Sequence, residues 1–169
     1  PGSFTGVRIG TGIAQGLAFG ADLPMLPISS LAAMAQGTYR LYGASTVLPA
    51  IDARMGEIYF AQYELNDKGI MALVGQELVT KPELLVNEFS ALDKSVYSVG
   101  TGWQTYQETL SKLNVAEIKT NTEQQFPTSA DIVVLAAVEL AEGKAVAVED
   151  AMPVYVRDTV TWKKLPGRE

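Results

Sequence analysis

The chain of 169 residues contains no cysteine and no histidine. Without cysteine there are no disulfides and no thiolate chemistry, and a cytoplasmic setting is natural. Without histidine there is no imidazole base, no Ser-His or Cys-His nucleophile pair and no His-ligated metal. Any catalysis would fall to carboxylates, Lys, Ser/Thr or a bound magnesium. Basic residues are scarce, 13 against 19 acidic ones, for a net charge of −6 and a pI near 4.7. That balance argues against a phosphate-backbone binder acting alone. No apolar run reaches membrane-spanning length, and nothing resembles a signal peptide, so no membrane association is expected. The length suits one domain or two small lobes.

Charge is scarcest at the start, where only Arg8 and Asp22 occur among the first 39 residues. Ser3 and Thr5 can cap a helix there. Gly6, Gly10 and Ala14 then fall four apart, as do Gly12, Gly16 and Gly20. Each set makes a stripe without side-chain bulk, beside an apolar ridge of Ile9, Ile13 and Leu17. Each interior glycine costs about 0.5–1 kcal/mol relative to alanine, so a closely packed second backbone is needed to compensate. The plain reading is a buried core helix against a sheet; a subunit interface is the other. A phosphate loop is a third, weak reading, because G-x-x-x-x-G-K-[ST] is absent and Gly143-Lys144 is followed by Ala145.

Leu23 to Ile28 reads as a short strand limited by its prolines. Ser29 or Ser30 can cap a helix from Leu31 to about Arg40, and Leu41 to Ser45 is a joint. Thr46–Ile51, Ile58–Tyr63 and Ile70 to about Val79 read as a three-stranded meander, with turns at 52–57 and 66–69. Thr80 and Glu83 have capping-box spacing, with Pro82 in the first turn of the next helix. Ser95–Val99 is a compact strand, Trp103–Leu113 a helix and Val115–Ile118 a strand. Thr128 and Asp131 again show capping-box spacing. The seven apolar residues from Ile132 to Val138 imply a helix buried on most sides, ended by Gly143. Tyr59 and Tyr63 are expected on a sheet face, Tyr97 and Trp103 in the core.

Pro1-Gly2-Ser3-Phe4-Thr5-Gly6-Val7-Arg8-Ile9-Gly10 resembles the P-G-S-F-T-G-x-R-x-G signature of the bacterial TsaB (YeaZ) family, non-catalytic relatives of TsaD. Asp52-Ala53-Arg54-Met55-Gly56-Glu57 matches its D-A-R-M-G-E turn. The end resembles its P-x-Y-x-R, at Pro153 to Arg157, and its W-K-K-L-P, at Trp162 to Pro166. The resemblance covers essentially the whole chain. It implies an α/β actin-like ATPase, or sugar-kinase, fold of the ribonuclease H-like kind. Residues 1–44 would be a remnant of the first lobe, and 45–169 a complete second lobe with its tail. The family's first quarter would precede Pro1, so the chain is expected to be a fragment whose dimer geometry is altered.

In function, the resemblance implies a non-catalytic scaffold in making threonylcarbamoyladenosine in tRNA. Its partners would be a TsaD-like paralogue and a TsaE-like ATPase, with a homodimer when the paralogue is absent and tRNA reached only through the complex. The partner face would comprise Gly6, Arg8, Ile9, Gly12, Ile13, Gly16, Leu17 and Gly20. Catalytic relatives bind a metal through H-x-x-x-H, where Ser30 and Met34 stand here, so no metal site is expected. In the superfamily an Asp-Gly hairpin nears phosphates and magnesium, which marks Asp52 and Gly56. A Gly-rich loop against the adenosine marks Gly100, Thr101 and Gly102. No cofactor is required on this reading, although weak ATP or ADP binding with magnesium fits those residues. The bland reading of Asp52 and Gly56 is a hairpin turn. The alternatives are an ATPase or phosphotransferase using Asp52 and magnesium, and less plausibly a glycoprotease-type peptidase. Four of the 13 basic residues lie between Arg157 and Arg168, a solvated end or a contact for tRNA or an acidic partner.

Overall fold

A computed structural model describes residues 1–157. Two helices come first, α1 (Phe4–Ala21) and α2 (Ser30–Tyr42). A meander follows, β1 (Thr46–Arg54), β2 (Glu57–Leu65) and β3 (Met71–Thr80). Next come α3 (Pro82–Glu88), β4 (Leu92–Val99), α4 (Thr101–Thr105), α5 (Gln107–Leu110), β5 (Val115–Thr120) and α6 (Ser129–Ala141). A 3-10 turn, Val148–Asp150, leads into an extended segment. The five strands form one mixed sheet in the order β3-β2-β1-β4-β5, antiparallel within the meander and parallel from β1 to β4 to β5. The topology is that of the expected α/β, ribonuclease H-like fold.

Alternation along the strands divides the core in two. Val47, Ala61 and Tyr63 point to one side, under Leu31, Met34 and Ala35 of α2. Leu48, Ala50, Ile58 and Phe60 point to the other, under Leu85 of α3, Trp103 of α4 and Leu110 of α5. The strand β1 lies at the centre, and its first five residues are all buried. The Trp103 indole donates its buried N–H to the Leu48 carbonyl at 2.7 Å, so the large ring enters the core with no lost hydrogen bond.

Helix starts follow the sequence closely. Ser3 accepts from the Gly6 amide at 3.1 Å, Ser29 from Leu31 at 3.2 Å and Thr128 from Asp131 at 3.4 Å. Thr80 does not cap α3. It remains in β3, paired with Ile58, and the cap position falls to Lys81 with no side-chain bond. Leu23 to Ile28 is not a strand; Pro24 and Pro27 reduce it to a single bridge between Met25 and Val146. The helix expected over Trp103–Leu113 breaks at Tyr106 (φ −121°, ψ 30°) into two short pieces.

Two burial expectations fail. The opening helix is not a core helix, for none of its residues is buried. In α6 only Asp131 and Leu135 are buried, and Val133 is 65% exposed, so the apolar run covers one side alone. Asp131, 1% exposed, closes a polar network that the apolar pattern gave no hint of. Arg40 Nε donates to one Asp131 oxygen at 2.8 Å, and Arg40 Nη2 reaches Gln124 Oε1 at 2.9 Å. Gln124 and Thr128 donate to the other Asp131 oxygen at 3.0 and 2.6 Å. Burial alone would raise the Asp131 pKa; these donors outweigh it and hold the carboxyl below its ordinary value. The same bond, with the charge behind it, raises Arg40.

Candidate functional site

Two features carry the candidate residues: the outer face of α1, and the β1–β2 hairpin with the loop after β4. The first is a helix with one weakly covered side. Val7, Thr11, Gln15 and Ala18 are half-buried and, at 3.6 residues per turn, share one face. Ile9, Gly12, Ile13, Gly16 and Gly20 point the opposite way, with Gly6 and Leu17 beside them. Leu17 is 71% exposed and Phe19 80%. A methyl group placed on Gly10, Gly12, Gly16 or Gly20 would meet nothing within 4 Å. Those glycines therefore serve no packing against the rest of the described residues. Gly6 differs, since its added carbon would lie 2.6 Å from the capping Ser3 hydroxyl. Arg8 is held at the edge of this face: its guanidinium lies 3.3 Å from the Phe4 ring centroid, and Nε donates to the Tyr155 hydroxyl at 2.9 Å.

The second feature is a strained turn. Arg54 and Met55 have positive φ, 64° and 58°, and Gly56 follows at 76°. A left-handed non-glycine residue costs on the order of 1–2 kcal/mol, so two in succession need support. The Asp52 carboxylate supplies part, accepting from the Arg54 amide at 2.9 Å. Arg157 supplies more: Nη2 donates to the Ala53 carbonyl at 3.2 Å and pairs with the Glu57 carboxylate. In sequence Arg157 is only a motif residue in a basic tail; its role needs the chain to return across about 100 positions. The other basic tail residues and the Trp162–Pro166 motif lie outside the described residues.

Asp52 and Thr101 are brought together, the Asp52 amide donating to the Thr101 hydroxyl at 3.1 Å. The loop glycines beside them face the sheet. A side chain on Gly100 (φ 106°) would meet the Ala50 carbonyl and the Met34 methyl, both at 2.4 Å, and one on Gly102 would meet Ala50 at 2.9 Å. The Gly100 amide is also taken, donating to Gln125 Oε1 at 3.1 Å. The loop packs closely against β1 through its glycines, with the Gly100 amide already engaged. Ser30 and Met34 are far from metal chemistry, for Met34 is fully buried in the core and the Ser30 hydroxyl bonds the Pro1 carbonyl. Among the described residues no three acidic side chains cluster as a metal site, and no helix is long and apolar enough to cross a membrane.

Between these features lies an open cleft of about 1750 Å³, lined by Val7 and Thr11 of α1, Pro27, Tyr63, Glu77 and Val156. The Tyr63 hydroxyl donates to Glu77 at 2.7 Å; burial, then the Glu77 charge, pushes its pKa upward.

Residues 1–165 match a family described as TsaD, tRNA N6-adenosine threonylcarbamoyltransferase. The tRNA threonylcarbamoyladenosine biosynthesis protein TsaB of Escherichia coli K12 is 50% identical over 169 residues, all of this chain and 72% of that protein. TsaB of Haemophilus influenzae is 43% identical over an aligned span of 176 residues, again 100% of this chain and 72% of the relative. Among solved structures, a Pseudomonas aeruginosa protein described as similar to the peptidase YeaZ superposes with a TM-score of 0.82 at 41% identity, over 93% of this chain and 70% of that one. A second, YeaZ from the same organism, gives 0.78 at 41% identity, over 92% and 70%.

Proposed function

The chain belongs to the TsaB branch of the TsaD family, tRNA threonylcarbamoyladenosine biosynthesis proteins, and from that premise we propose that it is a non-catalytic scaffold subunit. It binds a TsaD-like paralogue through the outward face of α1, and a TsaE-like ATPase joins the pair. Without the paralogue the same face pairs with a second copy. tRNA is met only within the complex, in the cytoplasm, which suits the net charge of −6. Residues 1–44 then belong to a first lobe and 45–169 to a second, with α2 docked on the second lobe's sheet.

One observation carries this proposal: an 18-residue apolar helix with no buried residue and four glycines whose missing side chains face open space. Covering each exposed Ile, Leu or Phe would contribute about 1.5–3 kcal/mol, and bare glycines let a second backbone approach closely enough to do it. In the test, Gly16→Leu is mixed with the TsaD-like paralogue and followed by light scattering on a sizing column. The substitution fits inside the chain, so folding is retained, while association weakens by at least about tenfold. Unchanged association would remove α1 from the interface. ATP turnover abolished by Asp52→Asn would replace the scaffold with an ATPase.

A further inference from the structure

The segment from Val146 to Arg157 touches both candidate features. Val146 pairs with Met25 just after α1, through amide-to-carbonyl bonds of 2.9 and 2.8 Å. Gln15 Nε2 donates to the carbonyls of Val148 and Ala151 at 3.0 and 3.3 Å, and Ala151 is buried. Tyr155 then accepts from Arg8 of α1, and Arg157 grips Ala53 and Glu57 of the hairpin. The Arg157 side chain is only 17% exposed, unusual for a cation beside a surface turn. Only Val156 separates the two grips, so the linking backbone spans at most about 7 Å and has little slack.

At the hairpin end, Arg157 contacts the residues on either side of Arg54-Met55-Gly56, the three left-handed positions. A conformation of that kind persists only while its surroundings over-determine it. At the α1 end, the helix has no buried residue of its own, and its most extensive contact is with the Val148–Asp150 turn. Each end thus depends on the same strap.

We infer that Tyr155 and Arg157 are positioning residues: the Val146–Arg157 strap fixes the angle of the α1 face against the β1–β2 hairpin, and it couples the two. What engages the hairpin tip shifts association at α1, and association at α1 stiffens the hairpin by the same factor. The second half of this statement rests on α1 being the partner face; the strap itself does not.

The test is native-state hydrogen exchange on the intact protein. Glu57→Gln removes the charge Arg157 grips, at the end remote from α1. The expected result is exchange of the Phe4–Ala21 amides accelerated by about tenfold, with β4 unchanged. Arg157→Lys keeps the charge but loses the fork, and gives a smaller acceleration than Arg157→Met. Unmoved α1 amides in Glu57→Gln overturn the strap. Tyr155→Phe runs the same test from the other end and keeps the ring: the Arg54–Gly56 amides exchange faster, and no change there overturns the strap equally. Partner affinity separates the two proposals. Faster α1 exchange with unaltered affinity for the TsaD-like paralogue keeps the strap and sinks the partner face. Unmoved exchange in a protein whose association Gly16→Leu abolishes does the reverse.

Discussion

The two opening helices reverse what their compositions lead one to expect. α1 is the more apolar and has no buried residue. α2 contains Gln36, Thr38 and Arg40, yet buries Leu31, Ala33, Met34, Ala35, Gln36, Gly37 and Thr38. Burial in α2 follows from what surrounds it: the sheet supplies Val47 and Ala61, and its polar groups find fixed partners. Gln36 accepts from the Met71 amide at 2.9 Å, and Thr38 accepts from Asn121 at 2.9 Å. Gly37 lets α6 approach, since a side chain there would meet Gln124 and Asp131 at 2.3 and 2.7 Å. On its outer face α1 has apolar side chains and bare glycines with nothing opposite them among the described residues. Surplus apolar surface of that kind is what the proposed partner would cover.

Substitutions can break this contrast. The largest effect is expected at Met34→Ala, which opens the α2 core and costs about 2–5 kcal/mol of stability. Ile13→Ala on α1 leaves the denaturation midpoint almost unmoved when the chain is diluted to a monomer. Equal losses in urea titrations would erase the distinction. Gly100→Ala comes next, at about 1–3 kcal/mol for strain alone, with the Ala50 carbonyl contact added. An unchanged thermal melt would mean that neither the φ of 106° nor the Ala50 contact constrains this position.

Asp131→Asn tests the polar side of α2 and is expected to cost about 1–3 kcal/mol at neutral pH. The folded Asp131 pKa lies below its ordinary value. Its contribution is therefore complete above the unfolded value of about 3.9 and is lost as pH falls through the lower folded value. Stability measured across that acid window should fall with a shallower slope in Asp131→Asn than in the parent. An unaltered slope would mean the Arg40 network contributes nothing. The smallest effect runs the other way: in the monomer Gly16→Ala raises stability by about 0.5–1 kcal/mol, because the site is helical and open. A loss there would show that α1 is packed after all.

Much of the fold was legible because it depends on neighbours in the chain. The caps at Ser3, Ser29 and Thr128, the 52–57 hairpin, the meander and the stop at Gly143 are all local choices of backbone and hydrogen bond. The Thr80 cap failed because pairing with Ile58 kept that residue in a strand, a contact 22 positions away. The site was legible in its residues and less so in their work. Asp52 and Thr101 do meet, but Gly100 and Gly102 face Ala50, and glycine spacing alone cannot tell a ligand from a strand. As anchors Arg157 and Arg40 are not legible in sequence, because a charged side chain on its own announces only solvent.

By itself, then, the sequence determined where the side-chain-capped helices begin, which strand faces are apolar, and that one helix has glycines where bulk would ordinarily be. It also excluded imidazole and thiol chemistry. Tertiary structure decided which apolar surface is covered, which glycines touch a backbone and which charges are buried. Local propensity acts over one turn of helix or one strand pair, whereas burial and charge pairing depend on elements that only folding brings into contact.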